Sequence, residues 1–385
     1  MSRTLTADWL FTGASLRKGW ALELGDAGQV LACRPLQPGE QSEALDGLLC
    51  PGFVNAHTHL ELSHLAGRIP GAGGMAAFIG AVVQLRGQDN EEKIRTAAES
   101  ALHSLRACGT ALAGDICNSP LTVSLKRAPD AVHTVSFIEL LGLDAGRAPD
   151  ILARGQELLD AFAGLEACLT LHAPYSVSPA LLAGFAALPL RRLSIHLLES
   201  AEEEILFSDG SGPLADWFTQ LRLPWQPFPV RDPAAYLSGA LPPEVPVLWV
   251  HNTRMTPARL AALLARSPQS WFCLCPRSNL YLHGQLPDPV LWQSLPGRIC
   301  LGTDSLASAP SLDVWEEARL LMQADPGLLL EEVLRWLTAN GAAALGQSDN
   351  FGSFAPGTRP GVNLITDLAG DPPVLTGSSR VIPIE

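Results

Sequence analysis

From residue 51 onward, short apolar stretches alternate with longer Ala- and Leu-rich ones, and this alternation limits the fold more than any other feature of the chain. The apolar stretches lie at 52–56, 111–116, 132–140, 168–173, 193–198, 245–250, 271–275 and 298–302, each of strand length. Between most of them run segments that read as helices, at 91–108, 148–165, 179–187, 213–220, 257–266 and 290–294, and a last pair follows at 312–323 and 328–344. Strands joined by crossover helices make a parallel sheet. Eight rounds of the unit predict an α/β fold of the (β/α)8 TIM barrel type. A hydrophobic content of 47% against 17% charged residues is that of a globular chain, and 385 residues leave room for a smaller unit beside the barrel.

That smaller unit is expected from the two ends. Residues 1–50 carry short apolar pieces broken by Gly, Asp and Pro, and residues 352–385 return to the same pattern. Together they predict a small composite β domain flanking a barrel of residues 51–351. A net charge of -13 and a pI near 5.1 make nucleic acid or an anionic membrane a poor partner. The opening MSRTLTADWLFTGAS lacks a basic segment followed by an apolar core, and no uncharged apolar run reaches about 18 residues. A cytoplasmic protein with no membrane span is therefore expected. The eight cysteines are scattered through apolar runs without a CxxC pair and read as small buried hydrophobes.

The segment PGFVNAHTHLEL sets His57 and His59 two residues apart at the end of the first strand, where both side chains point to one side. A divalent metal about 2.0 to 2.1 Å from each ring nitrogen suits this spacing, and hydrogen-bonded strand histidines are the alternative. Later strands end in His172 (CLTLHAPYS), His196 and Glu199 (LSIHLLES), His251 (VLWVH) and Asp304 (ICLGTDS). Each has an ordinary reading by itself: a core histidine, a helix-capping carboxylate, a turn residue. Barrel chemistry sits at the C-terminal strand ends, however, and His or Asp at five of them points to a metal site. Three imidazoles and a carboxylate suit Zn2+ or Fe2+ with a water in an open position, and such an ion lowers the pKa of its water towards about 7. Glu199, three residues past His196, is placed to carry a proton, and His251 to orient or deprotonate the water. The set describes metal-assisted hydrolysis. Of the three lysines, Lys18, Lys93 and Lys126, none ends a barrel strand, so the carboxylated lysine of two-metal hydrolases is missing and a single metal is favoured.

These residues stand in the motifs PGFVNAHTHLE, HAPYS, HLLES, VHNTR, CPRSN and LGTDS, whose combination resembles the amidohydrolase superfamily in its mononuclear aminohydrolase branch. That branch includes deaminases of cytosine, guanine, methylthioadenosine and S-adenosylhomocysteine, with related chlorohydrolases. The resemblance spans roughly residues 47 to 346, and the flanking pieces are similar to the family's composite domain. It implies one divalent metal, Zn2+ or Fe2+, on His57, His59, His196 and Asp304. Glu199 is then the proton shuttle, His251 polarises the attacking water, Asp304 also takes a proton from it, and His172 contacts substrate. A homodimer is implied in the same way.

The segments CPRSNLYL and HTHLELS are most similar to the aminodeoxyfutalosine deaminases of menaquinone biosynthesis by the futalosine pathway. That implies a purine nucleoside substrate, attack of metal-bound water at purine C6 and loss of ammonia. A sugar carrying a benzoate calls for a carboxylate partner; Arg277 and Arg68 are the candidates, with surface or capping roles as the alternative. Glu61 is a candidate to bond ribose or base, or a structural ion-pair partner. Ser278 and Asn279 read the base or form the turn after strand seven. Methylthioadenosine/S-adenosylhomocysteine deaminase, guanine or pterin deaminase and a chlorohydrolase-type enzyme are alternative activities. A silent metal-binding protein is the alternative from another class; Glu199 and His251 argue against it, since metal storage needs neither. A histidine-ligated metal predicts that turnover falls below about pH 5 to 6, as the ligands take up protons. A rate profile that stays flat through that range would count against it.

Overall fold

The computed structural model describes residues 2–71 and 73–384. The first fifty residues form β1 (Arg3–Phe11), β2 (Leu16–Arg17), β3 (Trp20–Leu24), β4 (Val30–Pro35) and β5 (Glu43–Pro51). After Gly52 alone the chain enters the eight barrel strands: β6 (Phe53–Thr58), β7 (Thr110–Cys117), β8 (His133–Leu140), β9 (Glu166–Leu171), β10 (Leu193–Leu197), β11 (Val247–His251), β12 (Ser270–Leu274) and β13 (Ile299–Leu301). The tail adds β14 (Val362–Thr366) and β15 (Arg380–Ile384). Both chain ends enter one flanking sheet of order β15-β14-β5-β1-β3-β4, with β2 on β1. β14 runs antiparallel to β5, pairing Val362 with Pro51, so the tail is pinned where the chain turns into the barrel.

The barrel strands are apolar along nearly their whole length because helices cover them outside and side chains fill them inside. Every residue of β6, β10, β11 and β13 is buried. All eight expected strands are present, and helices follow most of them at the expected places, among them Glu91–Ala107, Ala148–Ala161 and Pro257–Arg266. The stretch 328–344 is not one regular helix: a π-helical turn, Trp336–Asn340, separates Leu330–Arg335 from Gly341–Ala344. Three helices that the apolar pattern does not announce, Met75–Arg86, Ala201–Asp209 and Pro276–His283, follow strand ends. All eight cysteines are free, and six are buried. Among the described residues no helix is long and apolar enough to cross a membrane.

The eight strands form two four-stranded parallel sheets, β6 to β9 and β10 to β13, that meet at two seams. At the β9–β10 seam a side chain replaces the backbone ladder: Thr170 Oγ1 donates to Ser194 O at 2.7 Å and accepts from Ser194 N at 3.0 Å. Above it, His196 N donates to His172 O at 2.9 Å. At the other seam Thr303 N and Asp304 N both donate to His57 O, at 3.0 and 3.1 Å, and Asn55 Nδ2 donates to Thr303 Oγ1 at 2.8 Å. Gly302 makes that approach possible, since a Cβ there would lie 2.9 Å from His57 N. Both seams close on residues singled out as chemical. Thr170→Val keeps the shape but leaves Ser194 N and O unpaired in a buried place, so it should destabilise the protein by about 1 to 3 kcal/mol. Urea unfolding measures this, and an unchanged midpoint would mean that the seam holds without the hydroxyl.

Candidate active site

Where β10, β11 and β13 end, the backbone turns left-handed at four residues that are not glycine: Leu198 (φ 52°), His251 (φ 71°), Asn252 (φ 56°) and Asp304 (φ 59°). Such residues cost on the order of 1 to 3 kcal/mol each and persist only where surrounding bonds hold them. Here Asn252 N donates to Leu197 O at 2.9 Å, Asn252 Nδ2 donates to Trp249 O at 2.8 Å, and Thr58 Oγ1 donates to Asp304 O at 3.1 Å. The turns aim His251 and Asp304 across the barrel mouth.

His57, His59, His196 and Asp304 meet there. His57 Nε2 and His59 Nε2 are 3.1 Å apart, His59 Nε2 and His196 Nε2 3.3 Å, His59 Nε2 and Asp304 Oδ1 3.2 Å, and His57 Nε2 and Asp304 Oδ1 3.7 Å. The second atoms of two of these residues are already committed. His196 Nδ1 donates to His172 O at 2.9 Å, which leaves a lone pair on Nε2. Asp304 Oδ2 accepts from Ser278 Oγ at 2.8 Å and Ser308 Oγ at 2.5 Å. Four acceptors are thus turned on one point. Ligand atoms held about 2.0 to 2.1 Å from a tetrahedral ion stand about 3.3 Å from one another. The spacings match, and the chemistry of the donor set fits a divalent cation.

Charge and burial agree with that arrangement. Burial and the surrounding imidazoles push His196 down to about 4, and burial holds His57 well below the usual histidine range. These two rings stay neutral and ready to donate a lone pair, whereas at His59 burial is outweighed by the Asp304 carboxylate, which raises that ring above its ordinary value. Asp304 lies well below the usual carboxylate range; burial opposes this, but His57 and His59 outweigh it.

Beside the four stand Glu199 and His251. Glu199 Oε2 is 3.6 Å from His251 Nε2, which is buried without a hydrogen-bond partner. Asn279 Nδ2 donates to His251 Nδ1 at 3.2 Å, placing the ring proton on Nε2, towards Glu199. Burial works to raise the Glu199 carboxyl, yet His251 and His283 bring it below its ordinary value. Ser278 and Asn279 both lie on the helix Pro276–His283 and touch Asp304 and His251.

The remaining candidates are distributed differently. His172 stands at the β9 mouth; Ser176 donates to Ala173 O at 3.0 Å and accepts from His172 Nδ1 at 2.8 Å, so His172 Nε2 is left for a ligand. Glu61 is buried and accepts from Asn118 N, Ser119 N and Ser119 Oγ at 3.2, 3.0 and 2.9 Å. Burial, with the Asp115 charge adding to it, raises its carboxyl to about 7. Arg68 pairs with Asp89. Arg277 donates to Ser311 Oγ at 2.9 Å and, with Leu280, Tyr281 and Arg319, lines a cavity of about 420 Å³.

Several polar residues near the mouth are not evident in the sequence pattern. Lys126 is buried, with its Nζ 2.6 Å from Asp115 Oδ2. Asp115 Oδ1 in turn accepts from Leu60 N at 2.8 Å, directly after His59. Glu139 Oε1 is buried without a partner, 3.9 Å from His196 Nδ1. Glu202 accepts from Met75 N and Ala76 N at 3.0 and 2.9 Å, capping the helix Met75–Arg86. Glu203 Oε2 accepts from Glu199 N at 3.1 Å while Oε1 has no partner. Only a chemical residue at a strand end with an apolar run before it carries a signal, and among these Asp115 and Glu139 have one.

The sequence profile of the amidohydrolase family matches residues 48–377. The chain is 28% identical over 374 residues to a protein of Deinococcus radiodurans named aminodeoxyfutalosine deaminase, covering 91% of this chain and 87% of that one. It is 26% identical to a 5-methylthioadenosine/S-adenosylhomocysteine deaminase of Pelotomaculum thermopropionicum, covering 89% of this chain and 77% of that one. The fold is similar to a crystal structure of Helicobacter pylori aminofutalosine deaminase in complex with methylthio-coformycin, with a TM-score of 0.80 and 23% identity over 95% of this chain and 92% of that one.

Burial, the Glu199 charge adding to it, lifts the Glu203 carboxyl from 4.5 to about 8. Between those pH values the unfolded chain gives up this proton while the fold keeps it, so the native state binds more protons and stability falls as pH rises. Glu203→Gln removes that loss. Urea midpoints followed across the window should decline less steeply for the variant, and parallel curves would show that Glu203 is ionised in the fold.

Proposed function

The chain belongs to the amidohydrolase family and is a hydrolase acting on carbon–nitrogen bonds other than peptide bonds, and on that premise we propose that it is a metal-dependent deaminase of an adenine-containing nucleoside, with aminodeoxyfutalosine as substrate. The observation that carries the reaction type is the placement of Glu199 and His251, 3.6 Å apart, beside four converging acceptor atoms. His57, His59, His196 and Asp304 would hold the ion. When bound, a divalent cation such as Zn2+ or Fe2+ supplies a nucleophile at neutral pH by lowering the pKa of a water molecule.

The residues of the chain do the rest. Glu199, ionised at neutral pH, takes one proton and delivers it to the ring nitrogen next to the carbon attacked. The second proton of the water, held in turn by Asp304, passes through the same carboxyl to the amino group, which leaves as ammonia as the water oxygen takes its place. His251, with its ring proton on Nε2, orients the water, and Asp304 receives a proton from it. His172 meets the substrate through Nε2. For the benzoate on the sugar, Arg277 is the less committed cation, since its side chain bonds a neutral serine whereas Arg68 is already paired with Asp89.

The substrate assignment is supported by the relative named aminodeoxyfutalosine deaminase, which matches 91% of the chain. A second reading, methylthioadenosine or S-adenosylhomocysteine, is favoured by the similarly broad match to the Pelotomaculum relative. Ammonia release from metal-replete protein, measured side by side on aminodeoxyfutalosine, methylthioadenosine, S-adenosylhomocysteine, adenosine and guanine, decides between them. Preference for aminodeoxyfutalosine is expected, together with a fall of roughly 10² or more in kcat for Glu199→Gln at unchanged metal content. Preference for another compound overturns the substrate, and full turnover by Glu199→Gln overturns the mechanism.

A further inference from the structure

We propose that His283 is a positioning residue that confines the Glu199 carboxylate by donating from Nε2 to Oε1 during turnover. His283 Nε2 lies 3.8 Å from Glu199 Oε1, opposite His251 Nε2 at 3.6 Å from Oε2. Each oxygen of the proton carrier therefore faces its own imidazole. His283 Nε2 is buried and has no hydrogen-bond partner, although its side chain is 11% exposed. A buried nitrogen without a partner beside an anion is an unusual arrangement unless the two meet at some stage of the reaction.

The helix that carries it strengthens the case. Positions 278, 279, 282 and 283 share one helical face. From that face Ser278 bonds Asp304, Asn279 bonds His251, Leu282 is buried and His283 faces Glu199. One short helix thus addresses the two groups that move protons and the one that orients the water. It ends at His283: Gly284 takes a left-handed conformation (φ 64°), and its N donates to Leu280 O at 2.9 Å. The His283 backbone is thereby fixed, as a positioning role requires. A glutamate has three side-chain torsions, and a carrier that must serve first a ring nitrogen and then an amino group gains from having its carboxylate plane held at both oxygens.

The inference rests on Glu199 as the proton carrier, and the experiment separates the two. On whichever of aminodeoxyfutalosine and methylthioadenosine is turned over faster, kcat and KM are measured for His283→Leu, His283→Gln and Glu199→Gln, with metal content and melting temperature recorded for each. Expected for His283→Leu is a fall in kcat of about 10- to 100-fold with KM within about 3-fold and unchanged metal content. His283→Gln, whose amide nitrogen takes the place of Nε2, should recover most of the loss. Equal loss in the Leu and Gln variants overturns the donor role, as does full kcat in His283→Leu when Glu199→Gln is inactive. If Glu199→Gln keeps full turnover, the reading of Glu199 fails first and this inference with it. Should His283→Leu not fold, His283→Asn, whose amide stops at the Nδ1 position and cannot reach Glu199, replaces it against His283→Gln.

Discussion

Three ring nitrogens and a carboxylate oxygen, drawn from three strand ends, are held within 3.1 to 3.7 Å of their neighbours at one point of the barrel mouth. Much of the barrel mouth answers to that constraint. The lone pair of His196 is aimed by a bond that crosses one seam, from its Nδ1 to His172 O. Asp304 is set by the other seam, where its backbone and that of Thr303 hang on His57 O. The left-handed turns at His251 and Asp304 are what it takes to point strand-end side chains back over the barrel axis. Ser278 and Ser308 occupy the far oxygen of Asp304 and so leave its near oxygen free for a cation.

The same low-dielectric setting treats neighbouring carboxyl groups in opposite ways. Burial raises all of them, and partners decide the outcome. Asp304 and Glu199, flanked by imidazoles, are brought down. Glu61 and Glu203, with hydroxyl and backbone donors and another carboxylate close by, are raised to about 7 and about 8. Environment sorts chemically identical groups into anions and neutral acids, a division that acid–base chemistry at neutral pH depends on. Asp115, paired with Lys126, accepts from Leu60 N and so holds the chain as it leaves His59.

The barrel strands were legible because cover on both faces leaves an apolar run, and the cluster was legible because His57, His59, His196, His251 and Asp304 each interrupt or end such a run. The helix Pro276–His283 was not, and the reason is physical. Its inward face meets buried polar groups in place of an oily core, so the helical apolar period is missing from CPRSNLYLH, which reads as a turn. His283 acquires its setting only through contact with Glu199, far away in the chain. Met75–Arg86 begins after glycines with no side-chain cap of its own, and its cap, Glu202, comes from the first turn of another helix, Ala201–Asp209. The arginines show a further limit. Arg68 and Arg277 have the chemistry to bind a carboxylate, but which way each loop turns is settled by Asp89 and Ser311.

Glu202 lies three residues beyond Glu199 and grips the first amides of the helix Met75–Arg86 with both carboxylate oxygens. That helix also brings Met75 against Tyr175 OH at the mouth. It cannot lift away without either giving up two charge-assisted bonds at its positive end or dragging on the segment that leads back to Glu199. One carboxylate therefore joins the helix at the mouth to the segment that carries Glu199, so the placement of each depends on the other.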